Sequence, residues 1–331
     1  MGLSSLEGYN SIPEITVVLC TRNRAERLTR CLSYYEQIRT HIAWELLVID
    51  NGSSDETSRL LERQVARGTL PLVAVSEPAP GLSNARNTGL RHAAAPIICF
   101  SDDDCYPDPS FIDAWRTFFL DPSIDYGGGR IELFDPTDAH VTIKTDPFAY
   151  WIPPRSFVRP GSLHGASLAF RRRVAEVVGR FDPALGAGAW FKSAEDIDYV
   201  QRASEAGFTG IYSPQPIVLH HHGRKPSDVA PLMKGYDLGR GAFYAAILSR
   251  QPHILWRAIA DDFHGRPSLL RYARSLVRRC RDRFPQRIWN VTRGIVQFTI
   301  LQARRTDKPC SPQAHTARFK IKPDHHDAKI I

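Results

Sequence analysis

Residues 96–104 (PIICFSDDD) decide the fold, because an apolar run changes there directly into three aspartates. A short apolar run bounded by polar residues is typical of a buried strand. Three adjacent carboxylates repel one another, so placing them beside a protein interior is costly unless a cation is near. The stretch therefore predicts a buried strand that ends at a charged site.

Upstream of residue 96, three more apolar strands alternate with segments of helical periodicity. We expect strands at 15–20, 45–50 and 72–75, and helices at 24–38, 55–65 and 82–94. This alternation predicts an α/β fold with a mostly parallel sheet flanked by helices, and such sheets bind ligands at the carboxyl ends of their strands. Polar clusters follow the strands at these ends: Thr21-Arg22-Asn23, Asp50-Asn51 and Asp102-Asp103-Asp104.

Downstream of the aspartates the pattern is less regular. A Pro-rich loop region at 135–160 is followed by a predicted strand at 164–170, a helix at 194–206 and an extended segment at 211–222. We place a catalytic domain at 15–225, after an N-terminal tail at 1–14. A basic helical extension is expected at 226–305, and the polar composition of 306–331 is typical of a disordered tail.

The composition favours a globular protein of a reducing compartment, the cytoplasm. Hydrophobic residues make up 43% and charged residues 24% of the 331 positions, and no apolar stretch reaches the roughly 18 residues that span a bilayer. The six cysteines form no CxxC pair, and the first residues lack the pattern of a signal peptide. GxGxxG, Walker A and GxSxG signatures are also absent, which disfavours a Rossmann dehydrogenase.

The net charge of +8 is concentrated near the C-terminus, where residues 251–331 carry 17 Lys+Arg against 6 Asp+Glu. Within 268–284 one face of a predicted amphipathic helix is cationic, through Arg271, Arg274, Arg278 and Arg281. Two interpretations stay open: the helix lies on an anionic membrane surface, or it packs on the body with its arginines in water. No nucleic-acid motif is present, so no nucleic-acid partner is expected.

The aspartate run is the first candidate site. Hard oxygen ligands select Mg²⁺ or Mn²⁺. In an extended segment Asp102 and Asp104 point the same way and Asp103 the other. We therefore assign Asp102 and Asp104 to a metal and a nucleotide, with Asp103 as a further candidate; a solvated acidic loop is the alternative.

Three other segments carry candidate residues. Glu195-Asp196-Ile197-Asp198 begins a helix, where it either caps the helix or offers a general base, and Arg202 is within salt-bridge reach of Asp198. In the run His220-His221-His222, His220 and His222 share a face, and one of them can reach a metal or a pyrophosphate. In GLSNARNTG (81–89), Arg86 and Asn87 suit phosphate or base contact, unless they are ordinary helix-surface residues.

Taken in order, these segments resemble the family 2 glycosyltransferases of GT-A fold. The resemblance extends over 15–241 and rests on TRNR, VIDNGSSDET, GLSNARNTG, FSDDDCYPDP, HGASLAFRR, AEDIDYVQR and VLHHHG. It implies an inverting, metal-dependent transfer from a nucleotide sugar carrying UDP, GDP or dTDP to a glycan or lipid-linked acceptor. Such an enzyme would work in cell-surface glycan or polysaccharide assembly, in the cytoplasm or at the inner face of the membrane.

The resemblance also implies residue roles. Thr21 and Asp50 would contact the base and ribose, with Arg22, Asn23 and Asn51 nearby. Arg86 and Asn87 would face the base or diphosphate, and Gly165 and Ala166 the donor sugar. Asp196, in its pair with Glu195, would be the general base, and Arg202 would be the family's arginine that follows it. The metal and diphosphate would be bound by Asp102, Asp103, Asp104 and one histidine, with His220 preferred to His222.

Two alternatives from other classes stay open. A metal-dependent nucleotidyl- or phosphotransferase also uses an α/β sheet and carboxylate-bound metal, but it would not need Asp196 as a base. A non-catalytic nucleotide-sugar binding module would have little need for both carboxylate clusters.

Overall fold

The computed structural model describes residues 12–254 and 284–306. Its first half is a parallel sheet with helices in alternation. The strands are β1 (Ile15–Thr21), β2 (Trp44–Asp50), β3 (Leu72–Ser76) and β4 (Ile97–Asp102), and the helices are α1 (Ala25–Tyr35), α2 (Thr57–Arg67) and α3 (Leu82–His92). These elements lie close to the predicted ones, and the strand order is β3-β2-β1-β4.

The register brings the polar strand ends together. Thr21 pairs with Asp50 across β1 and β2, and Cys20 pairs with Asp102 across β1 and β4. Because parallel strands that end in register end at one edge, three of the predicted polar clusters meet there.

The second half is a mixed sheet that the sequence pattern described less fully. It contains β5 (Cys105–Pro107), α4 (Phe111–Phe118), β6 (Tyr126–Leu133), β7 (Tyr150–Ile152), β8 (Ser167–Arg171), α5 (Arg172–Val178), α6 (Glu195–Glu205) and β9 (Gly210–His220). The order continues β4-β8-β6-β9-β5, with β7 beside β9. Half of the pairings of the whole sheet are antiparallel: β4 with β8, β6 with β8, and β9 with β5 and β7.

The glycine run in β6 allows close approach of neighbouring backbone. A Cβ on Gly127 would lie 2.7 Å from the carbonyl oxygen of Ile211, and one on Gly129 would lie 2.6 Å from that of Pro216. The pairing of β6 with β9 shifts register between Gly128 and Arg130. Side chains at these positions would therefore separate β6 from β9.

Both faces of the sheet are covered. Val17 and Val18 are neighbours in β1 and belong to different apolar clusters, as expected when successive side chains point to opposite faces. One cluster includes Leu28 of α1 and Trp115 of α4, and the other Tyr199 of α6.

Among the described residues that follow the sheet are two long helices: α7 (Val229–Arg250), after a 3-10 turn at Pro226–Asp228, and α8 (Phe284–Thr306). Phe243 and Ile247 join α7 to the cluster around Tyr199. A Cβ on Gly241 would lie 2.8 Å from the Cα of Gly294, so the two helices cross with their backbones nearly in contact.

Several predictions fall beyond these elements. The predicted amphipathic helix at 268–284 and the tail at 306–331 lie outside the described residues, apart from their junctions with α8 at Phe284 and Thr306. Among the residues that the structure does describe, no helix is both long and apolar enough to cross a membrane.

Candidate active site

A cleft of about 740 Å³ opens at the carboxyl edge of the parallel strands. Four walls form it: the ends of β1, β2 and β4, the turn before β8, the start of α6, and the first half of α7. Many of the predicted site residues line it: Thr21, Arg22, Asn51, Arg86, Asp102, Asp103, Asp104, Gly165, Ala166, Glu195, Asp196 and His220.

A possible metal-binding group lies at the base of this cleft. One ligand atom from each of Asp102, Asp104, Cys105 and His220 lies within 4.8 Å of the others. His220 reaches the group because it pairs with Cys105 across β5 and β9. Two carboxylates and an imidazole fit Mn²⁺ or Mg²⁺. Burial raises the pKa of the Cys105 thiol well above its ordinary value, so the thiol is neutral and adds little to such a site.

Asp104 is held as an anion. Burial opposes ionisation, but the hydrogen bond from His220 and the charges of Arg24 and Arg27 lower its pKa to about 2. His220 Nε2 lies 3.4 Å from Asp104 Oδ1, while Arg24 and Arg27 lie 3.1 and 3.4 Å from Oδ2. Asp104 is therefore a charged oxygen donor near neutral pH.

Asp103 lines the cleft but is not a member of the ligand group. Its carboxylate accepts a hydrogen bond of 2.7 Å from Thr21 Oγ1 and pairs with Arg24 Nη1 at 2.7 Å. Burial raises its pKa to about 6 in spite of Arg24. Asp102 and Asp104 thus share a side as predicted, but the reason differs: residues 103 and 104 form a tight turn between β4 and β5, not an extended segment.

Arg86 links the two carboxylate clusters. Its guanidinium, only 3% exposed, lies 3.0 Å from Glu195 Oε1 and 3.6 Å from Asp102 Oδ1. The rings of Phe100 and Phe181 flank it, each centroid 5.7 Å away. Burial and the neighbouring Asp196 raise the pKa of Glu195 to about 7, against the effect of Arg86.

Asp196 stands at the N-terminus of α6 and lines the cleft. Its Oδ2 accepts a hydrogen bond of 2.9 Å from the Gly165 amide, and its Oδ1 one of 2.7 Å from the Ile197 amide. Helix N-termini favour negative charge. The carboxylate is thus oriented by two backbone amides while remaining accessible from the cleft.

Asn51 shapes one end of the cleft by holding a loop. Its amide group donates to the carbonyls of Glu77 and Ala79 at 3.0 and 2.7 Å, and its oxygen accepts from the Gly81 amide at 2.8 Å. All of these bonds hold the segment that leads into α3.

Some predicted residues do not line the cleft. Asp50 accepts from the Ser53 amide and the Ser58 hydroxyl, and Asn23 accepts from the Ser54 amide. The Asn87 side chain donates to and accepts from the backbone of Phe181. These three side chains support the loops and helices around the cleft.

Arg202 and His222 also differ from the predicted placement. Arg202 pairs with Asp198 at 2.8 Å, which confirms that salt bridge, and its other nitrogens donate to the backbone carbonyls of Val178 and Arg180. His222 Nε2 lies 3.0 Å from the Ala139 carbonyl, and its Nδ1 accepts from the Arg224 amide at 2.9 Å. With both ring nitrogens engaged, His222 is corrected from a metal ligand to a loop support.

Sequence reasoning missed other residues of the site. Arg24 is the last residue of the TRNR motif and the N-cap of α1, and Arg27 lies three residues later in the first turn, so helical spacing from Arg24 would have found Arg27. Tyr236, Met233 and Arg240 of α7 line the opposite wall. No local pattern marks them, because only the packing of α7 onto the sheet brings them there.

The mixed sheet, the carboxylates at its edge and the cleft define the chain as a glycosyltransferase of GT-A fold. Residues 16–167 match the family model described as Glycosyl transferase family 2. The match ends before α6 and β9, so Asp196 and His220 come from the part of the chain beyond it.

Similar proteins agree with this assignment. The glycosyltransferase AglE of Haloferax volcanii is 26% identical over 243 residues, 73% of this chain and 77% of the relative. The UDP-Glc:alpha-D-GlcNAc-diphosphoundecaprenol beta-1,3-glucosyltransferase WfgD of Escherichia coli is 28% identical over 37% of this chain, which spans about half of that relative's length (47%). The mannosyltransferase PcManGT of Pyrobaculum calidifontis, solved with GDP-Man and Mn²⁺, shares the fold with a TM-score of 0.56 at 20% identity, covering 90% and 89% of the two chains.

Proposed function

We propose that this glycosyltransferase moves a sugar from a nucleoside-diphosphate donor to an acceptor hydroxyl in one displacement that inverts the anomeric centre. The observation that carries the proposal is the shared cleft, which holds the metal-ligand group and an oriented carboxylate, Asp196, on different walls. A leaving group bound at one wall and a base at the other meet the needs of a single displacement.

Asp102, Asp104 and His220 would hold the cation. A divalent cation bound there neutralises charge on the departing diphosphate. Arg24 lies beside the same carboxylates and adds positive charge at that wall. Arg86 then fixes Asp102 with respect to Glu195, so the metal wall and the base wall keep a constant separation.

Asp196 would be the general base, in preference to Glu195. The Glu195 carboxylate is buried against Arg86, whereas Asp196 is partly accessible in the cleft and held by two amides. An oriented, accessible carboxylate can take the proton of an incoming hydroxyl. Thr21, Arg22 and Asn51 would line the base and ribose end, and Gly165 and Ala166 the donor sugar.

The relatives' names suggest the donor and acceptor classes to try first. UDP and GDP sugars are named for WfgD and PcManGT respectively, and the acceptor named for WfgD is linked to a lipid diphosphate. We propose that a lipid-linked acceptor brings this chain to the inner face of a membrane, where it works in glycan assembly. The basic section 251–331 and the exposed Trp289 of α8 support such a contact.

Co-sedimentation with vesicles of phosphatidylcholine that contain about 30% phosphatidylglycerol tests the membrane contact. The full chain is expected in the pellet, with less after Trp289→Ala or after replacing Arg271, Arg274, Arg278 and Arg281. If the unaltered chain and the variants sediment equally, and to the same extent with vesicles of phosphatidylcholine alone, the contact with an anionic surface is refuted.

Thermal shift with UDP, GDP and dTDP and their sugars, with and without Mn²⁺, tests the donor and metal. One nucleotide series should raise Tm only with Mn²⁺, and Asp104→Asn should abolish that rise. Glu62→Gln, an exposed acid on α2, is the matched control and should keep it. No shift with any nucleotide would refute the proposal.

Turnover then separates the enzyme classes. Asp196→Asn should keep the nucleotide-dependent shift and lose roughly 10²–10⁴-fold in kcat. Full turnover by this variant would favour a nucleotidyl- or phosphotransferase, and binding without turnover in the unaltered chain would favour a binding module.

A further inference from the structure

Thr142 occupies an unusual backbone conformation at the wall of the cleft. Its φ is +56°, in the left-handed region that β-branched residues rarely adopt. Strain of this kind persists where the surroundings hold a residue in place, and it clusters at functional sites. Thr142 lies next to His220, the third member of the proposed metal site.

Two contacts fix the proton on the Thr142 hydroxyl. Its Oγ1 lies 2.6 Å from the Val141 carbonyl oxygen, which has no proton to share, so the hydroxyl donates there. Oγ1 also lies 3.3 Å from His220 Nδ1. Because its single proton is already used, the hydroxyl oxygen can only accept from the imidazole.

We infer that Thr142 is a positioning residue that holds His220 in the Nδ1–H tautomer. With a cation held between His220 and Asp104, the lone pair of the imidazole is then on Nε2, the nitrogen that faces Asp104 at 3.4 Å. A histidine that binds a metal usually donates its other N–H to a neighbouring acceptor, which fixes the tautomer and the ring orientation. Thr142 supplies that acceptor.

The loop that carries Thr142 is anchored on both sides. Before it, the Ala139 amide donates to the Arg224 carbonyl at 2.8 Å, and Asp138, with its side chain fully buried, pairs with Lys225 at 2.6 Å. After it, Lys144 and Ile131 exchange backbone hydrogen bonds of 2.9 and 2.8 Å. These contacts explain how the strained conformation is maintained.

His222 shows the opposite tautomer on the same stretch of chain. Its Nε2 faces a carbonyl and its Nδ1 faces an amide, so its proton is on Nε2 and it has no lone pair for a metal. The two rings lie 5.0 Å apart and nearly perpendicular. Neighbouring acceptors and donors thus assign different roles to two similar histidines.

The first test measures the tautomer directly with Mg²⁺ and UDP or GDP present, because without a cation the Asp104 carboxylate can accept a hydrogen bond from a proton on Nε2. Chain labelled with ¹⁵N-histidine is studied by long-range ¹H–¹⁵N correlation, and His220→Gln identifies the signal of His220. We expect an Nδ1–H pattern that is lost in Thr142→Val and restored in Thr142→Ser. An Nε2–H pattern in the unaltered chain, or no change in Thr142→Val, would overturn the inference.

The second test measures Mn²⁺ binding with UDP or GDP from the free-Mn²⁺ electron paramagnetic resonance signal. Loss of an outer-shell partner weakens metal binding by about 10–100-fold, so Thr142→Val should raise the Mn²⁺ Kd by that factor and Thr142→Ser should restore it. Thr117→Val, which removes an exposed hydroxyl from α4, is the control and should leave the Kd unchanged.

Thr142→Gly protects the test against misfolding. Glycine tolerates φ of +56° without strain, so this variant should unfold at the same or a higher Tm and still bind Mn²⁺ as weakly as Thr142→Val. If Thr142→Val and Thr142→Gly both bind Mn²⁺ more weakly and both have a lower Tm, while Thr142→Ser is unchanged, Thr142 has a purely structural role and the inference is overturned. Both tests rest on the proposed function: if the unaltered chain binds no Mn²⁺, that function fails, whereas Mn²⁺ binding that Thr142→Val leaves unchanged overturns only the inference.

Discussion

Replacing Gly165 with alanine would drive a methyl group into the guanidinium of Arg86. The new Cβ would lie 2.8 Å from Arg86 Cζ and 2.9 Å from Nη1, distances shorter than real Cβ contacts. Arg86 has little room to move, because Glu195 pairs with it at 3.0 Å and the rings of Phe100 and Phe181 flank it. The alanine must therefore displace either the arginine or the turn.

The expected cost follows from those two outcomes. Overpacking a rigid interior costs about 1–3 kcal/mol, and separating a buried ion pair costs about 3–5 kcal/mol. Because the pair would be stretched and not removed, we expect Gly165→Ala to lower the free energy of unfolding by roughly 2–4 kcal/mol. The substitution also shifts the amide that holds Asp196, so kcat should fall as well.

Urea unfolding measures this prediction against Gly235→Ala as the matched control. A Cβ on Gly235 would make only an ordinary contact, 3.5 Å from Lys192 Cβ, and alanine suits a helix, so that variant should be neutral or slightly stabilising. Arg86→Ala combined with Gly165→Ala should cost less than the sum of the single changes, because the overlap is gone. A cost below about 0.5 kcal/mol, or strict additivity, would refute the proposed clash.

Three further predictions follow from buried groups. Glu195 has a folded-state pKa of about 7, above its ordinary 4.5, so between these pH values the folded state holds a proton that the unfolded state has lost. The free energy of unfolding should therefore fall as pH rises from about 4.5 to 7. Urea titrations at several pH values measure this slope, and Glu195→Gln should flatten it. Gly294→Ala should destabilise by about 1–3 kcal/mol, because its Cβ would lie 3.0 Å from the Cα of Gly241 and push α8 from α7; an unchanged Tm would contradict the close crossing. Asn51→Ala should cost roughly 2–3 kcal/mol through three lost hydrogen bonds and weaken nucleotide binding, whereas calorimetry showing unchanged binding would exclude a role for the 77–81 loop in the site.

The parallel half of the fold could be predicted because its information is local. An apolar strand such as Ile15–Thr21 and the amphipathic α1 that follows are visible within one window of sequence. β6 and β7 were missed for the opposite reason: the glycines of β6 carry no apolar pattern, and their role depends on distant backbone in β9, where Gly127 pairs with Ile211.

The site divides in the same way. Asp102, Asp104, Asp196 and His220 were predicted because they are placed at the ends of local elements. Arg202 and His222 were assigned by position in a motif, but which nitrogens are free depends on the carbonyls and amides that tertiary structure brings to them. Thr142 had no signal at all, since its importance arises from a contact 78 positions along the chain.

The late arrival of β9 in the chain has a consequence for biosynthesis. His220 reaches the metal-ligand group only when β9 has inserted between β6 and β5, and Cys105 is paired to it in that step. A nascent or truncated chain that ends before this strand has the parallel half-sheet and its aspartates, but not the third metal ligand. The order of synthesis thus delays assembly of the complete metal-ligand group until the last strand of the sheet has been made.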